Sequence, residues 1–235
     1  MSMRKKVCTH NYANTSAGKN PFVMEGFVYN FTDETILACD VDGVIMECFD
    51  AINKRVREKF GLPETFRIQA VARSWNMEEL PEDIRCYALE CMADADVVQQ
   101  YTFKKGSRKF IKELYEATIA AGGEFYFNTH CLNQEVGDVR FQQLESLSAQ
   151  LGIDPKYNIS VGPKKVNIPA TIIIDDYIGN LNASNANTKV LFSMFHNRDL
   201  DEGTAFRSRD YNKIVAHVRN ALSKIATVDC EDVAV

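Results

Sequence analysis

The chain has 235 residues, with a hydrophobic fraction of 46%, a charged fraction of 25% and a formal net charge of −5, which suits one globular domain carrying at most a small insert. The acidic balance argues against a surface built for duplex nucleic acid, and no apolar run reaches the roughly 18 residues of a bilayer span. Arg4-Lys5-Lys6 is not followed by the apolar stretch of a secretory signal, and seven cysteines (Cys8, Cys39, Cys48, Cys86, Cys91, Cys131 and Cys230) form no Cys-x-x-Cys pair, so reduced thiols and a cytoplasmic location are expected.

Residues 1–20 are polar and read as a loose leader. Phe22 to Phe31 has the aromatic content of a strand or hairpin arm. Thr35 to Val41 predicts the first buried strand, because a parallel strand covered on both faces is a continuous apolar run. Ile45 to Phe60 carries Ala51, Ile52, Val56 and Phe60 at helical spacing, and Gly61-Leu62-Pro63 stops it. From Leu62 to about Phe103 no buried-strand run appears. Short helices are predicted there over Ile68 to Met77 and, behind Pro81, over Glu82 to Met92. A helix opens at Gly106-Ser107, buries Phe110, Ile111, Leu114 and Ala117, and ends at Gly122-Gly123. Then come a strand over Glu124 to Thr129, a helix over Val139 to Leu151 and a short strand over Tyr157 to Val161. Strands over Ala170 to Asp176 and Thr188 to Phe192, a helix over Asn212 to Ile225 and a polar tail from Ala226 complete the chain. Strands alternating with helices predict an α/β fold, a doubly wound parallel sheet with a small helical cap inserted after the first strand. The expected division is a leader at 1–20, a core at 21–48 and 104–228, a cap at 49–103 and a tail at 229–235.

Three predicted strands end in polar groups: Asp40 and Asp42, Asn128 and Thr129, Asp175 and Asp176. Lys164 and Lys165 stand just before the third of these. Neighbouring strands of a doubly wound sheet share one crevice at their carboxyl ends. Acids gathered there repel one another unless a cation joins them, and oxygen-only donors favour Mg²⁺. Lysine and threonine then suit phosphate oxygens. Gly43 supplies the backbone freedom for the turn that must follow Asp42. Taken singly, Asp-x-Asp-Gly is a turn signal, Thr129 an N-cap, the lysines a solvated pair and Trp75 cap core; it is their ordered series that points to chemistry.

This series resembles the haloacid dehalogenase (HAD) superfamily of phosphohydrolases. Its four motifs are matched by Asp40-Val41-Asp42-Gly43-Val44, by Phe125-Tyr126-Phe127-Asn128-Thr129, by Lys165 with Lys164 as the alternative, and by Ile172-Ile173-Ile174-Asp175-Asp176. Within it, the insert length, Arg73-Ser74-Trp75 and the stretch from Val190 to Asn197 are similar to the 5′(3′)-deoxyribonucleotidases. The chain departs from that family at Cys48, where an aromatic is expected and Phe49 stands one residue on, at Met92, where a tyrosine is expected, and at His130, where a small residue is expected.

The resemblance implies a Mg²⁺-dependent phosphatase of nucleoside 5′-monophosphates, deoxyribonucleotides foremost, working through an aspartyl phosphate. Asp40 is then the nucleophile and Asp42 the acid and base, with Thr129 and Lys165 holding phosphoryl oxygens. Mg²⁺ would be held by Asp40, the Asp42 carbonyl and Asp176, with Asp175 a ligand or an orienting group. Phe49, Trp75, Asn128 and His130 are the expected substrate contacts, and Met92 is expected in the core of the cap. The implied partner is a small nucleotide, with no membrane and no stable nucleic-acid partner; a homodimer is implied by the family alone. The alternatives are another small phosphate ester, a polynucleotide 3′-phosphate, or a nucleotide-binding protein without catalysis.

Overall fold

The structure, a computed structural model, describes residues 35–153, 159–162, 165 and 168–231. The strands are β1 (Ile36–Cys39), β2 (Met46–Glu47), β3 (Thr102–Phe103), β4 (Glu124–His130), β5 (Ile159–Gly162), β6 (Ile172–Asp175), β7 (Thr188–Phe192) and β8 (Phe206–Ser208). The helices are α1 (Phe49–Phe60), α2 (Ile68–Val71), α3 (Glu82–Met92), α4 (Ala95–Val98), α5 (Ser107–Ala120), α6 (Gln134–Leu151), α7 (Ile178–Ala183) and α8 (Tyr211–Glu231). No helix among the described residues is long and apolar enough to cross a membrane.

Six strands form one sheet in the order β5-β4-β1-β6-β7-β8, and every neighbouring pair is parallel. This is the α/β, doubly wound arrangement expected from the alternating pattern. β1 and β6 lie at its centre, and every residue of both is buried. Chain order reverses between these two strands, which is where open α/β sheets leave a crevice outside their carboxyl ends. β1 is in register with β4 from Ile36↔Glu124 to Cys39↔Phe127, and with β6 from Leu37↔Ile172 to Cys39↔Ile174. One residue further, Asp40 stands level with Asn128 and Asp175, and its N–H still donates to the Ile174 carbonyl at 2.8 Å.

The segment between β1 and α5 carries the four helices α1 to α4, and its two ends pair as strands. Met46 opposes Phe103 and Glu47 opposes Thr102, so β2 and β3 hold entrance and exit side by side. The sequence predicts helix from Ile45; helix begins instead at Phe49, because Ile45 and Met46 both donate to the Val41 carbonyl and Met46 then pairs across to β3. The helix expected from Ile68 to Met77 stops at Val71: the Arg73 N–H turns to Glu79 Oε2 and Met77 adopts a positive φ of 53°. α4 was not expected; Asp94 caps it, accepting from the N–H groups of Asp96 and Val97.

α6 begins five residues earlier than predicted, at Gln134 rather than Val139, because Asn133 Oδ1 accepts from the Val136 N–H at 2.9 Å and caps it. β8 and α7 are additional to the predicted elements, each too short for a periodic signal. The closing helix does not give way to a tail at Ala226 but runs to Glu231, since no glycine or proline interrupts it. The expected leader, the strand over Phe22 to Phe31, the start of the strand at Tyr157 and Lys164 lie outside the described residues.

Candidate active site

Asp40, Asp175 and Asp176 are at most 2% exposed, and one oxygen from each lies within 4.8 Å of the others. Lys165 Nζ sits 2.5 Å from Asp40 Oδ1 and 3.2 Å from Asp175 Oδ2. Three ionised carboxylates against one ammonium would leave an excess of two negative charges in a buried place. Burial therefore pushes the Asp40 carboxyl up to about 7 even though Lys165 pulls it down. Asp176 is raised as well, by burial first and then by Asp40 and Asp175. Burial draws Lys165 down, but Asp175 and Asp40 outweigh it and hold the ammonium well above its ordinary range.

The oxygens of the two consecutive aspartates are used differently. Asp175 Oδ1 accepts from the Tyr177 N–H at 2.8 Å, and Asn180 Nδ2 donates to both Asp175 oxygens, at 3.2 and 3.0 Å. With Lys165 on Oδ2, Asp175 is fully engaged by protein. Among the described residues Asp176 Oδ2 is buried without a hydrogen-bond partner, with His196 Nε2 3.6 Å away. Its backbone carbonyl, by contrast, accepts from His196 Nε2 at 3.0 Å and from Asn197 Nδ2 at 2.7 Å, which pins the residue in place. Gly43, at φ +78°, presses against that carboxylate: a Cβ on it would stand 1.9 Å from Asp176 Oδ2. An unpartnered buried carboxylate oxygen, oxygen-only donors and an excess of two negative charges fit a hard divalent cation such as Mg²⁺. Asp40 and Asp176 are the side chains that could hold it.

Asp42 lies beyond the sheet, in the turn that Gly43 completes. Arg140 Nη2 donates to its Oδ1 at 2.6 Å, Cys48 Sγ stands 3.2 Å from the same oxygen, and Thr129 Oγ1 donates to Oδ2 at 3.4 Å. Arg140 is 1% exposed and has no counterpart in the sequence reading; on a mostly polar helix a lone arginine reads as one more solvent-facing residue. Lys104 was also not anticipated; its ammonium contacts the Gly43 carbonyl and lies over the Phe192 ring at 5.1 Å.

A cavity of about 530 Å³ opens onto Asp40, Asp42, Lys165 and Asp176. Phe49, Trp75 and His130 line it, as do Met92, Tyr101 and Tyr177. Met92 thus faces the cavity and is only half-buried, in contrast to the core position expected for it. Asn128 and Thr129 are not among the lining residues. Asn128 Nδ2 donates to the Lys165 carbonyl at 2.9 Å, so its side chain positions the lysine segment. Trp75 and Tyr177 are exposed at the cavity, and the Trp75 ring meets His196 edge-on with centroids 5.1 Å apart. His196 therefore links Trp75 to the Asp176 carbonyl, and burial lowers its pKa.

No protein-family model matches the chain, and no curated protein matches it. Among solved structures, it is similar to a hydrolase of the haloacid dehalogenase-like family from Streptococcus pneumoniae, at 14% identity and a TM-score of 0.49 over 80% of this chain and 100% of that one. It is similar also to a haloacid dehalogenase-like hydrolase from Xanthomonas campestris, at 15% identity and a TM-score of 0.47 over 83% of this chain and 98% of that one. A hydrolase from Pseudomonas syringae aligns at 16% identity and a TM-score of 0.44 over 80% of this chain and 98% of that one.

Proposed function

We propose that the chain is a Mg²⁺-dependent phosphatase of the haloacid dehalogenase superfamily that hydrolyses nucleoside 5′-monophosphates, deoxyribonucleotides foremost. The observation that carries this reading is the buried group of Asp40, Asp175, Asp176 and Lys165, with Asp176 Oδ2 unpartnered, at the edge of a cavity lined by Phe49, Trp75 and Tyr177. Bound Mg²⁺, held by Asp40, Asp176 and the Asp42 carbonyl, would neutralise the excess negative charge and let a phosphate dianion enter.

Asp40 attacks phosphorus with one carboxylate oxygen, and a phosphorus–oxygen bond forms as the bond to the leaving 5′ oxygen breaks. Asp42 gives that oxygen a proton and later takes one from the water that hydrolyses the aspartyl phosphate. Lys165, paired with Asp40 and Asp175, offsets charge that develops on the equatorial oxygens. Asp175 holds Lys165 and, through Asn180 and the Tyr177 N–H, the segment after β6. The cavity volume suits one mononucleotide, and its aromatic rings suit a flat base.

A screen of phosphate release across deoxy- and ribonucleoside monophosphates and sugar phosphates, with Mg²⁺ and with EDTA, tests this reading. The expected result is Mg²⁺-dependent release, fastest on 5′-deoxynucleotides and lost in Asp40→Asn. Equal or faster turnover of sugar phosphates would remove the nucleotide assignment, and release unaffected by Asp40→Asn would remove the mechanism.

A further inference from the structure

We propose that Arg140 and Gln143 are positioning residues that couple the seating of the helical insert to the orientation of Asp42, leaving Asp42 Oδ2 as the oxygen that exchanges the proton. This rests on the phosphatase reading above. The chain of contacts is continuous. Asp42 Oδ1 accepts from Arg140 Nη2 at 2.6 Å, and Arg140 Nη1 donates to Gln143 Oε1 at 2.6 Å. Gln143 Nε2 in turn donates to the Val98 carbonyl at 3.1 Å, at the end of α4 within the insert. The guanidinium also lies over the ring of Tyr101, another insert residue, at 5.2 Å.

An arginine this deeply buried is costly, and its Nε has no hydrogen-bond partner among the described residues. Packing alone would be served better by an apolar side chain of similar volume. The guanidinium instead bridges a residue of the active-site turn and a residue that grips the insert. Its planar fork suits this, because two nitrogens can be directed at two different acceptors at once. Oδ1 is taken by Arg140, with the Cys48 thiol beside it, whereas among the described residues Oδ2 meets only the Thr129 hydroxyl, at 3.4 Å. When Asp40 bonds to phosphorus, the pair of electrons of the breaking P–O bond passes to the leaving oxygen. That oxygen takes the proton from Oδ2, and the carboxylate left behind remains paired with Arg140.

The test compares two esters on the purified protein with Mg²⁺. A 5′-deoxynucleotide has an alkoxide leaving group that must be protonated. p-Nitrophenyl phosphate releases a phenolate that needs no proton. Hydrolysis of the aspartyl phosphate also uses Asp42 and is common to both esters, so the readout is kcat/KM, which ends at formation of that intermediate. A residue acting through Asp42 should alter the ratio of the two kcat/KM values, whereas a merely structural residue would lower both together. Arg140→Lys should reduce the alkyl-to-aryl ratio of kcat/KM about 100-fold and Gln143→Leu about 10-fold. Equal losses of kcat/KM on both esters, or an unchanged ratio, overturn the proposal while leaving the phosphatase reading standing. Should Arg140→Lys fail to fold by circular dichroism, Gln143→Leu decides by the same ratio, since it keeps the Arg140–Asp42 pair. A wild-type protein that hydrolyses neither ester removes the phosphatase reading, and the relay falls with it.

Discussion

Replacing Gly43 with alanine would test the candidate metal site through the backbone. Two separate costs fall on one residue. The first is conformational: φ is +78°, and an L side chain in the left-handed region costs about 1–2 kcal/mol. The second is steric, because the new Cβ would stand 1.9 Å from Asp176 Oδ2 and 2.9 Å from its Cγ. Asp176 cannot retreat through its backbone, whose carbonyl is held by His196 and Asn197. The carboxylate must therefore rotate, carrying Oδ2 away from Asp40 and Asp175.

Gly61 provides the control. Its φ is +62°, so an alanine there meets the same conformational cost, but no described residue lies within 4 Å of its Cβ. Gly61→Ala should cost about 1 kcal/mol, a Tm decrease of about 2–4 °C, and leave the response to Mg²⁺ unchanged. Gly43→Ala should cost about 2–4 kcal/mol and weaken Mg²⁺ binding about 10- to 100-fold. Thermal unfolding with and without Mg²⁺, together with titration calorimetry, reads both quantities. A Gly43→Ala protein that keeps the wild-type Mg²⁺ increment, or whose stability matches Gly61→Ala, would refute the placement of Asp176 as the open ligand.

Asp40→Asn should abolish phosphate release and also change how metal-free stability depends on pH. The folded-state pKa of Asp40 is raised from 3.8 to about 7, so its contribution to stability is complete below pH 3.8 and is lost as pH rises through 7. In EDTA, the stability of wild type relative to Asp40→Asn should therefore fall across that window; a flat or rising difference would contradict the burial argument. Trp75→Ala should raise KM for a nucleotide about 10-fold with little change in kcat or Tm, because the ring is exposed and a base–aromatic stack contributes about 1–3 kcal/mol. An unchanged KM would rule out stacking at that position. Among the cysteines whose side chains are described, Cys86 alone is exposed, while burial raises the thiol pKa of Cys39, Cys48, Cys91 and Cys131. Maleimide labelling mapped by mass spectrometry should find Cys86 modified before these four; earlier labelling of Cys48 would mean that the Asp42 side of the cavity is open.

The central strands were legible because burial on both faces leaves a continuous apolar run, as in Ile36 to Cys39 and Ile172 to Ile174. The polar residues ending those runs were legible for the same reason, since a charge after a buried strand stands out. β2, β3 and β8 span two or three residues each, too few for any period to register. The start of α6 depends on one side-chain bond from Asn133, which hydrophobic spacing does not encode. Arg140 and Lys104 reach the site from helical and loop positions where a basic residue ordinarily faces solvent. Their roles depend on the fold bringing residues 42 and 140 together, a separation of 98 positions that no local pattern spans.

The two aspartates of the first motif are held by different mechanical parts of the molecule. Asp40 belongs to the sheet: its N–H donates to Ile174, and its register follows β4 and β6. Asp42 belongs to the turn that leads into β2, and β2 pairs with β3, the strand through which the chain returns from the helical insert. The Lys104 N–H donates to the Ile45 carbonyl at 2.9 Å, and its ammonium contacts the Gly43 carbonyl, so the returning strand grips that same turn. The insert's two-stranded root is thus tied to the segment that carries Asp42, whereas Asp40 is tied to the sheet. On the proposed reading, a nucleophile that must keep its aim on phosphorus stands on the sheet, and an acid–base group that serves first the leaving oxygen and then a water stands two residues on, in the turn that the returning strand contacts.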